Sequence, residues 1–273
     1  MRLRIEHVST YRYATPASRV VQNLRLTPRG HDGQFVANWR IDVDRDCLLD
    51  ATTDPFGNTL HSFAVEGPLD SLTITAIGDV ETQDLEGVLH GQVEPLPTGV
   101  FLRDTSLTAA DPAIRELATT NVAAAEHDQI RFLHALMLAI RERLRFDVDA
   151  PYSGIGAGEA LAHGHGTCQD FAHVFCAAAR HIDIPARYVT GYLYRPDHPE
   201  VELGHAWAEA FVRDLGWIGF DPANGICPTD THVRLAVGLD HLGAAPVRGA
   251  RYGGSDETLS VRVRVGQVAR ANR

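Results

Sequence analysis

Apolar residues recur at every second position through the first third of this chain and at every third or fourth position from Asp128 onward. The polypeptide must therefore combine sheet and helix in separate stretches. Phe35, Ala37, Trp39, Ile41 and Val43 alternate with Asn38, Arg40, Asp42 and Asp44, and Leu72, Ile74 and Ala76 alternate with Thr73 and Thr75. That is the pattern of strands with one wet face. Turn-forming groups stand between such runs at Pro28-Arg29-Gly30, Asp54-Pro55-Phe56-Gly57-Asn58 and Gly67-Pro68, the spacing of an antiparallel sandwich or barrel. We expect a sandwich-like antiparallel β module over residues 1–85. A connector with a short helix follows over 86–125, because Gly91 to Gly99 contains Pro95 and Pro97 and has no periodicity.

From residue 126 to 273 the reading is an α+β core. Ile130, Leu133, Met137, Ile140 and Leu144 form one apolar stripe with Arg141, Glu142 and Arg143 outside it, a helix with a buried face. A glycine-rich passage, Gly154 to Gly166, encloses a short helical run at Glu159 to Ala162 and has no Gly-Lys-Ser/Thr, so it is not a phosphate loop. Thr167 can cap a further helix through Phe171, Val174, Phe175, Ala178 and Ile182, which Ile184-Pro185 ends. Strand-like runs follow at Arg187 to Tyr194, Leu203 to Arg213 and Trp217 to Phe220, the last two joined by a tight hairpin at Asp214-Leu215-Gly216. The tail alternates Val261, Val263 and Val265 with Arg262 and Arg264, another half-buried strand. Helices followed by antiparallel strands make an α+β domain.

Composition excludes several classes of partner. The 273 residues carry a formal charge of -10, so no nucleic acid is expected, because a polyphosphate ligand needs a basic face. Met1 to His7 is charged from the outset, unlike a signal peptide, and no apolar run approaches the ~18 residues of a membrane span. The expectation is a soluble cytoplasmic protein without a membrane partner. All 25 Lys+Arg positions are Arg and none is Lys, so the chain has no side-chain amine. Cys47, Cys168, Cys176 and Cys227 form no Cys-x-x-Cys pair, which fits reduced thiols rather than a disulfide framework.

One thiol stands in a setting suited to chemistry. Cys168 falls in the first turn of a predicted helix, where unpaired N–H groups and the positive helix end favour a thiolate and could also receive an oxyanion. His205 opens a strand 37 residues later, and Asp221 lies 16 residues beyond it, just past the hairpin partner. A ladder turning at Asp214 brings the carboxylate near the imidazole, the relation an orienting acid needs. Trp207 and Glu209 share the strand face of His205; Trp207 is a candidate wall of the substrate cleft, and Gln169, beside the thiol, a second candidate substrate contact.

The runs Gly166-Thr167-Cys168-Gln169-Asp170-Phe171-Ala172-His173, Ile184-Pro185-Ala186-Arg187-Tyr188-Val189-Thr190-Gly191-Tyr192, His205-Ala206-Trp207-Ala208-Glu209 and Gly216-Trp217-Ile218-Gly219-Phe220-Asp221-Pro222-Ala223-Asn224-Gly225, in that order, resemble the transglutaminase-like superfamily in its bacterial form. The N-terminal β module is similar to the N-terminal region of those bacterial proteins, and Ala245-Pro246-Val247-Arg248-Gly249 fits their C-terminal stretch. The resemblance implies a papain-like core in which Cys168 is the nucleophile, His205 the general base and acid, and Asp221 the carboxylate that orients it. The sequence departs from true transglutaminases, which have Gln before and Trp after the nucleophile, whereas Thr167 and Gln169 stand here. Gly238-Leu239-Asp240-His241 replaces the Gly-Arg-Asp-Tyr common among bacterial relatives. No acidic loop suits calcium.

The expected reaction is thiol-dependent acyl transfer through a thioester, with hydrolysis of a peptide or amide bond favoured, as in a cysteine protease or amidase. Transamidation of protein glutamine to an amine is the alternative. Substrates would be peptides, proteins or other amides, and neither cofactor nor metal is expected. Of other classes, a noncatalytic binding protein of the same fold would keep the architecture without turnover. A metal site could use His163, His165, Cys168, His173 and Cys176, but Cys168 and His173 lie about 140° apart around a helix.

Overall fold

The computed structural model describes residues 1–125, 128–147, 154–198, 200–201 and 204–268. Its first sheet is built on two very long strands, β1 (Arg2–Thr27) and β4 (Thr59–Thr82), with β2 (Gln34–Val43) and β3 (Asp50–Thr53) between them in sequence. Then come β5 (Val88–Leu89), a 3-10 turn (Thr98–Leu102), α1 (Pro112–Ala124) and α2 (Gln129–Arg143). Two short strands, β6 (Arg145–Phe146) and β7 (His165–Gly166), bracket α3 (Ala157–His163), and α4 (Cys168–His181) follows. The rest comprises β8 (Ala186–Leu193), β9 (Glu200–Val201), β10 (His205–Val212), β11 (Gly216–Phe220), β12 (His232–Gly238), α5 (His241–Ala244) and β13 (Val247–Gln267).

The N-terminal sheet runs β2-β4-β1-β13-β9, with β3 on β4. The tail strand β13 pairs antiparallel with β1 from Leu3↔Gln267 to Leu24↔Val247, so the expected boundary, which left residues 247–267 with the core, is corrected. Alternation shows that a strand has one buried face; it carries no information about the strand it pairs with. Gly67-Pro68 is likewise not a turn between strands but lies within β4, where the register against β1 shifts between Ala17 and Arg19. A Cβ on Gly67 would sit 2.1 Å from the Ala17 carbonyl, so the glycine permits a close backbone approach. A register shift between Val36 and Asn38 also breaks the phase of β2. Phe35 therefore faces solvent at 65% exposure, while Trp39, Ile41 and Val43 pack against the sheet's core.

The second sheet runs β12-β8-β10-β11-β5, antiparallel throughout. It is sandwiched: Ala206, Ala208 and Ala210 of β10 pack with the helices, while Tyr192 of β8 and Val233 and Leu235 of β12 join the core of the N-terminal sheet. A sheet covered on both faces loses its polar phase, and β12 is buried along its whole length; this is why its sequence gave no alternating signal. The connector is more structured than expected, contributing β5 and the 13-residue α1.

At the centre lies α4, buried from Cys168 to Arg180. Its run of Ala177, Ala178 and Ala179 lets neighbouring elements approach closely. Beneath β10, Glu209 receives Arg187 Nε at 2.6 Å and Arg234 Nε at 2.7 Å, and Arg187 also donates to Glu94. Arg187, fully buried, stacks 3.9 Å above the Trp217 ring. The second sheet is thus braced by a compensated charge cluster.

Candidate active site

Helix α4 starts with Thr167 in an extended conformation. Its backbone N–H and hydroxyl both donate to Asp170 Oδ2, at 2.8 and 2.9 Å. Asp170 thus closes a capping box and also places a negative charge in the first turn. The first residue inside this fixed start is Cys168, 6% exposed, and its thiol donates to Gln169 Oε1 at 3.3 Å. Gln169 also lines a cavity with His205.

The hairpin forms where expected, with the tight turn set by positive φ at Asp214 (69°) and Gly216 (88°). Its ladder pairs Ala208 with Phe220 and Val212 with Gly216, which brings Asp221, one residue past β11, beside the start of β10. Leu203, part of the expected strand, lies outside the described residues; His205 is the first residue of β10. Its Nε2 lies 2.7 Å from Asp221 Oδ2, and Cys168 is near enough to the same imidazole to raise its basicity alongside Asp221. With Nε2 committed to the carboxylate, Nδ1 is the nitrogen left for the thiol.

Asp221 is fully buried and has more than one partner. Asn224 donates its backbone N–H to Oδ1 at 3.1 Å and its side-chain amide to Oδ2 at 2.6 Å. His232 Nε2 lies 3.2 Å from Oδ2. The Thr229 N–H donates to His232 Nδ1 at 3.2 Å, so the proton of a neutral His232 belongs on Nε2, where it can be donated to Asp221. Burial lowers the basicity of His232, with Asp221 acting in the opposite direction. The two histidines therefore differ in charge preference. For His205, burial opposes the charge, but Asp221 and the Cys168 sulfur outweigh it and raise its pKa to about 10. For Asp221, burial favours the neutral acid, yet His205 and His232 hold it far below the usual carboxylate range.

Trp207, expected as a cleft wall, is 2% exposed and packs with Val189 and Val237. Its ring lies 6.1 Å from that of His205 and 5.5 Å, edge-on, from that of His232; it supports the histidines from within the sheet. The five residues considered for a metal do not converge. His163 and His165 lie outside the core, Cys176 is buried in α4, and His173 Nε2 accepts the His241 N–H at 3.0 Å. Among the described residues the one His/Cys/Asp/Glu group whose ligand atoms gather within 4.8 Å is His205, Asp221 and His232. Those atoms already satisfy one another through hydrogen bonds, so the cluster needs no ion to hold it.

Two members of this network were not assigned roles from sequence. Asn224 stood within the Asp-Pro-Ala-Asn run without a stated function. His232 opens β12, whose two-sided burial removed the alternation that would have revealed a strand there.

Residues 3–81 match the bacterial transglutaminase-like N-terminal region and residues 116–222 the transglutaminase-like superfamily. An uncharacterized protein of Mycobacterium leprae is 29% identical over 98% of this chain and 99% of its own length. One of Mycobacterium tuberculosis strain H37Rv is 25% identical over 94% of this chain and 90% of its own. Among solved structures, a candidate cysteine protease from Cytophaga hutchinsonii superposes with a TM-score of 0.77 at 20% identity, covering all of this chain and 92% of the other. The chain thus joins a transglutaminase-like superfamily core, over residues 116–222, to a bacterial transglutaminase-like N-terminal region, over residues 3–81.

Proposed function

We propose that the protein is a thiol acyl-transferring enzyme with Cys168 as nucleophile, His205 as general base and acid and Asp221 as orienting carboxylate, and that it hydrolyses a peptide or amide bond. The observation carrying this reading is the 2.7 Å His205–Asp221 contact, with the cysteine at the α4 start raising the basicity of the same imidazole. Buried Asp221 stabilises the imidazolium that forms when His205 takes the Cys168 thiol proton. Sulfur attacks the carbonyl carbon, and the oxyanion forms beside the first backbone N–H groups of α4. As the C–N bond breaks, His205 gives its proton to the leaving amine, and a thioester remains on Cys168. Water then attacks the thioester while His205 accepts its proton, releasing the acid and restoring the thiol.

Hydrolysis is favoured over transamidation because Thr167 and Gln169, not Gln and Trp, flank the thiol. Intact-mass measurement after mixing with peptide, glutamine-amide and ester substrates tests the proposal. An acyl adduct confined to Cys168 that decays to free acid is expected. Absence of any adduct with every substrate refutes the thioester route, and decay only to an amine-exchanged product refutes hydrolysis.

A further inference from the structure

A cavity of about 160 Å³ opens beside His205 and Gln169, and its far wall is supplied by the N-terminal sheet. His7, Ser9 and Tyr11 lie on one face of β1 by strand alternation. Two of their partners on β13, Val261 opposite Ser9 and Leu259 opposite Tyr11, line the same space. Pro246 and Val247, at the start of β13, close another side. The cavity is therefore built where the two ends of the chain pair and face the thiol site.

Apart from His205 at its edge on the thiol site, its lining carries no strongly charged side chain. In a chain with 22% charged residues, no Asp, Glu or Arg is among the lining residues. His7 fits that character: its Nδ1 lies 3.1 Å from the Tyr192 hydroxyl and its Nε2 3.0 Å from Ser9 Oγ, and burial lowers its pKa to about 4. A space of about 150 Å³ with apolar walls accommodates a benzene ring, so the volume suits one aromatic or branched aliphatic side chain. Leu259, 49% exposed, offers a further apolar contact at this face of β13.

We propose that this cavity is the specificity pocket of the enzyme, made jointly by the N-terminal sheet and the core, and that it takes a neutral apolar group attached close to the reacting carbonyl of the substrate. This rests on the acyl-transfer reading above and adds the class of group that the site selects. The N-terminal module is on this view part of the substrate site.

The test compares three alkylating reagents at Cys168: iodoacetamide, iodoacetanilide with its apolar ring, and iodoacetate with its charge. In each case Sγ bonds to the methylene carbon as the C–I bond breaks, iodide leaves, and the thiol proton passes to solvent. The iodoacetanilide to iodoacetamide rate ratio at Cys168 is expected to exceed that of a small free thiol by about tenfold, with iodoacetate the slowest of the three. Val261→Trp, which fills the cavity, brings the ratio down to the free-thiol value. Leu259→Arg, at an exposed position, lowers the ratio and raises the iodoacetate rate, and it serves where the tryptophan variant does not fold. A ratio equal to that of the free thiol in the unaltered protein, or one that persists in the folded variants, overturns the pocket assignment alone. Iodoacetamide labelling of Cys168 no faster than of Cys47 and Cys227 overturns the acyl-transfer reading, and the pocket assignment falls with it.

Discussion

Replacing Asp221 by Asn removes one charge from the site while keeping its shape and one acceptor oxygen. In the native protein burial disfavours the His205 imidazolium, yet Asp221 and Cys168 raise its pKa from 6.5 to about 10. With each tenfold change in proton affinity worth about 1.4 kcal/mol, the rise corresponds to about 5 kcal/mol of stabilisation of the charged ring. That figure is net of the burial penalty and includes the Cys168 contribution, so it does not measure Asp221 alone, and the asparagine carbonyl can still accept the His205 N–H. Without the carboxylate, burial dominates, and His205 is expected to be neutral at pH 7. The iodoacetamide rate at Cys168 should then fall about 10²- to 10³-fold at pH 7, and substrate turnover by about 10³ to 10⁴. Mass-resolved alkylation across pH 5 to 10 reads the first effect at all four thiols at once. An Asp221→Asn protein whose Cys168 profile stays within about threefold of the parent would refute the pairing argument. The pair also sets a stability window. The contribution of His205, whose pKa is raised, is complete below pH 6.5 and is lost as pH rises through about 10. That of Asp221, whose pKa is lowered, is complete above about 3.8 and is lost as pH falls.

His232→Gln should reduce turnover about tenfold with KM little changed, and His232→Asn, too short to reach Asp221, should reduce it further; equal KM increases in both would mark a binding role instead. Glu209→Gln leaves Arg187 and Arg234 buried with less countercharge, at a cost of about 3–5 kcal/mol in urea unfolding; a loss under about 1 kcal/mol would contradict the bracing role. The native Glu209 has its pKa lowered to about 2, with burial opposed by the two arginines. The parent should therefore lose this contribution as pH falls from 4.5 toward 2, and the variant should show less of that acid-induced decline. Cys176 should resist iodoacetamide in the folded protein, since burial raises its pKa to about 11; labelling at the Cys168 rate would show that α4 opens readily.

What could be read from the sequence divides along a physical line. Features encoded within a few residues were legible: the cap at Thr167, the stop at Ile184-Pro185 and the Asp214-Gly216 turn. The turn mattered most, because a short hairpin sets its own register and so placed Asp221 near His205. Features that depend on which distant surfaces meet were not legible. Val261 and Val263 alternate with arginines whether β13 extends the core or completes the N-terminal sheet; only the pairing with β1 decides it. Trp207 had the alternation of a cleft residue, but burial of both sheet faces turned it into support for two histidines. His232 was hidden by that same burial, since a strand covered on both sides has no polar phase to read. The sandwiching of the second sheet explains the last two cases. It withdraws the Asp221 network from water on one side and brings the N-terminal sheet against the thiol site on the other. The closure that obscured these residues in the sequence is therefore also what lets a buried carboxylate hold a charged imidazole beside Cys168.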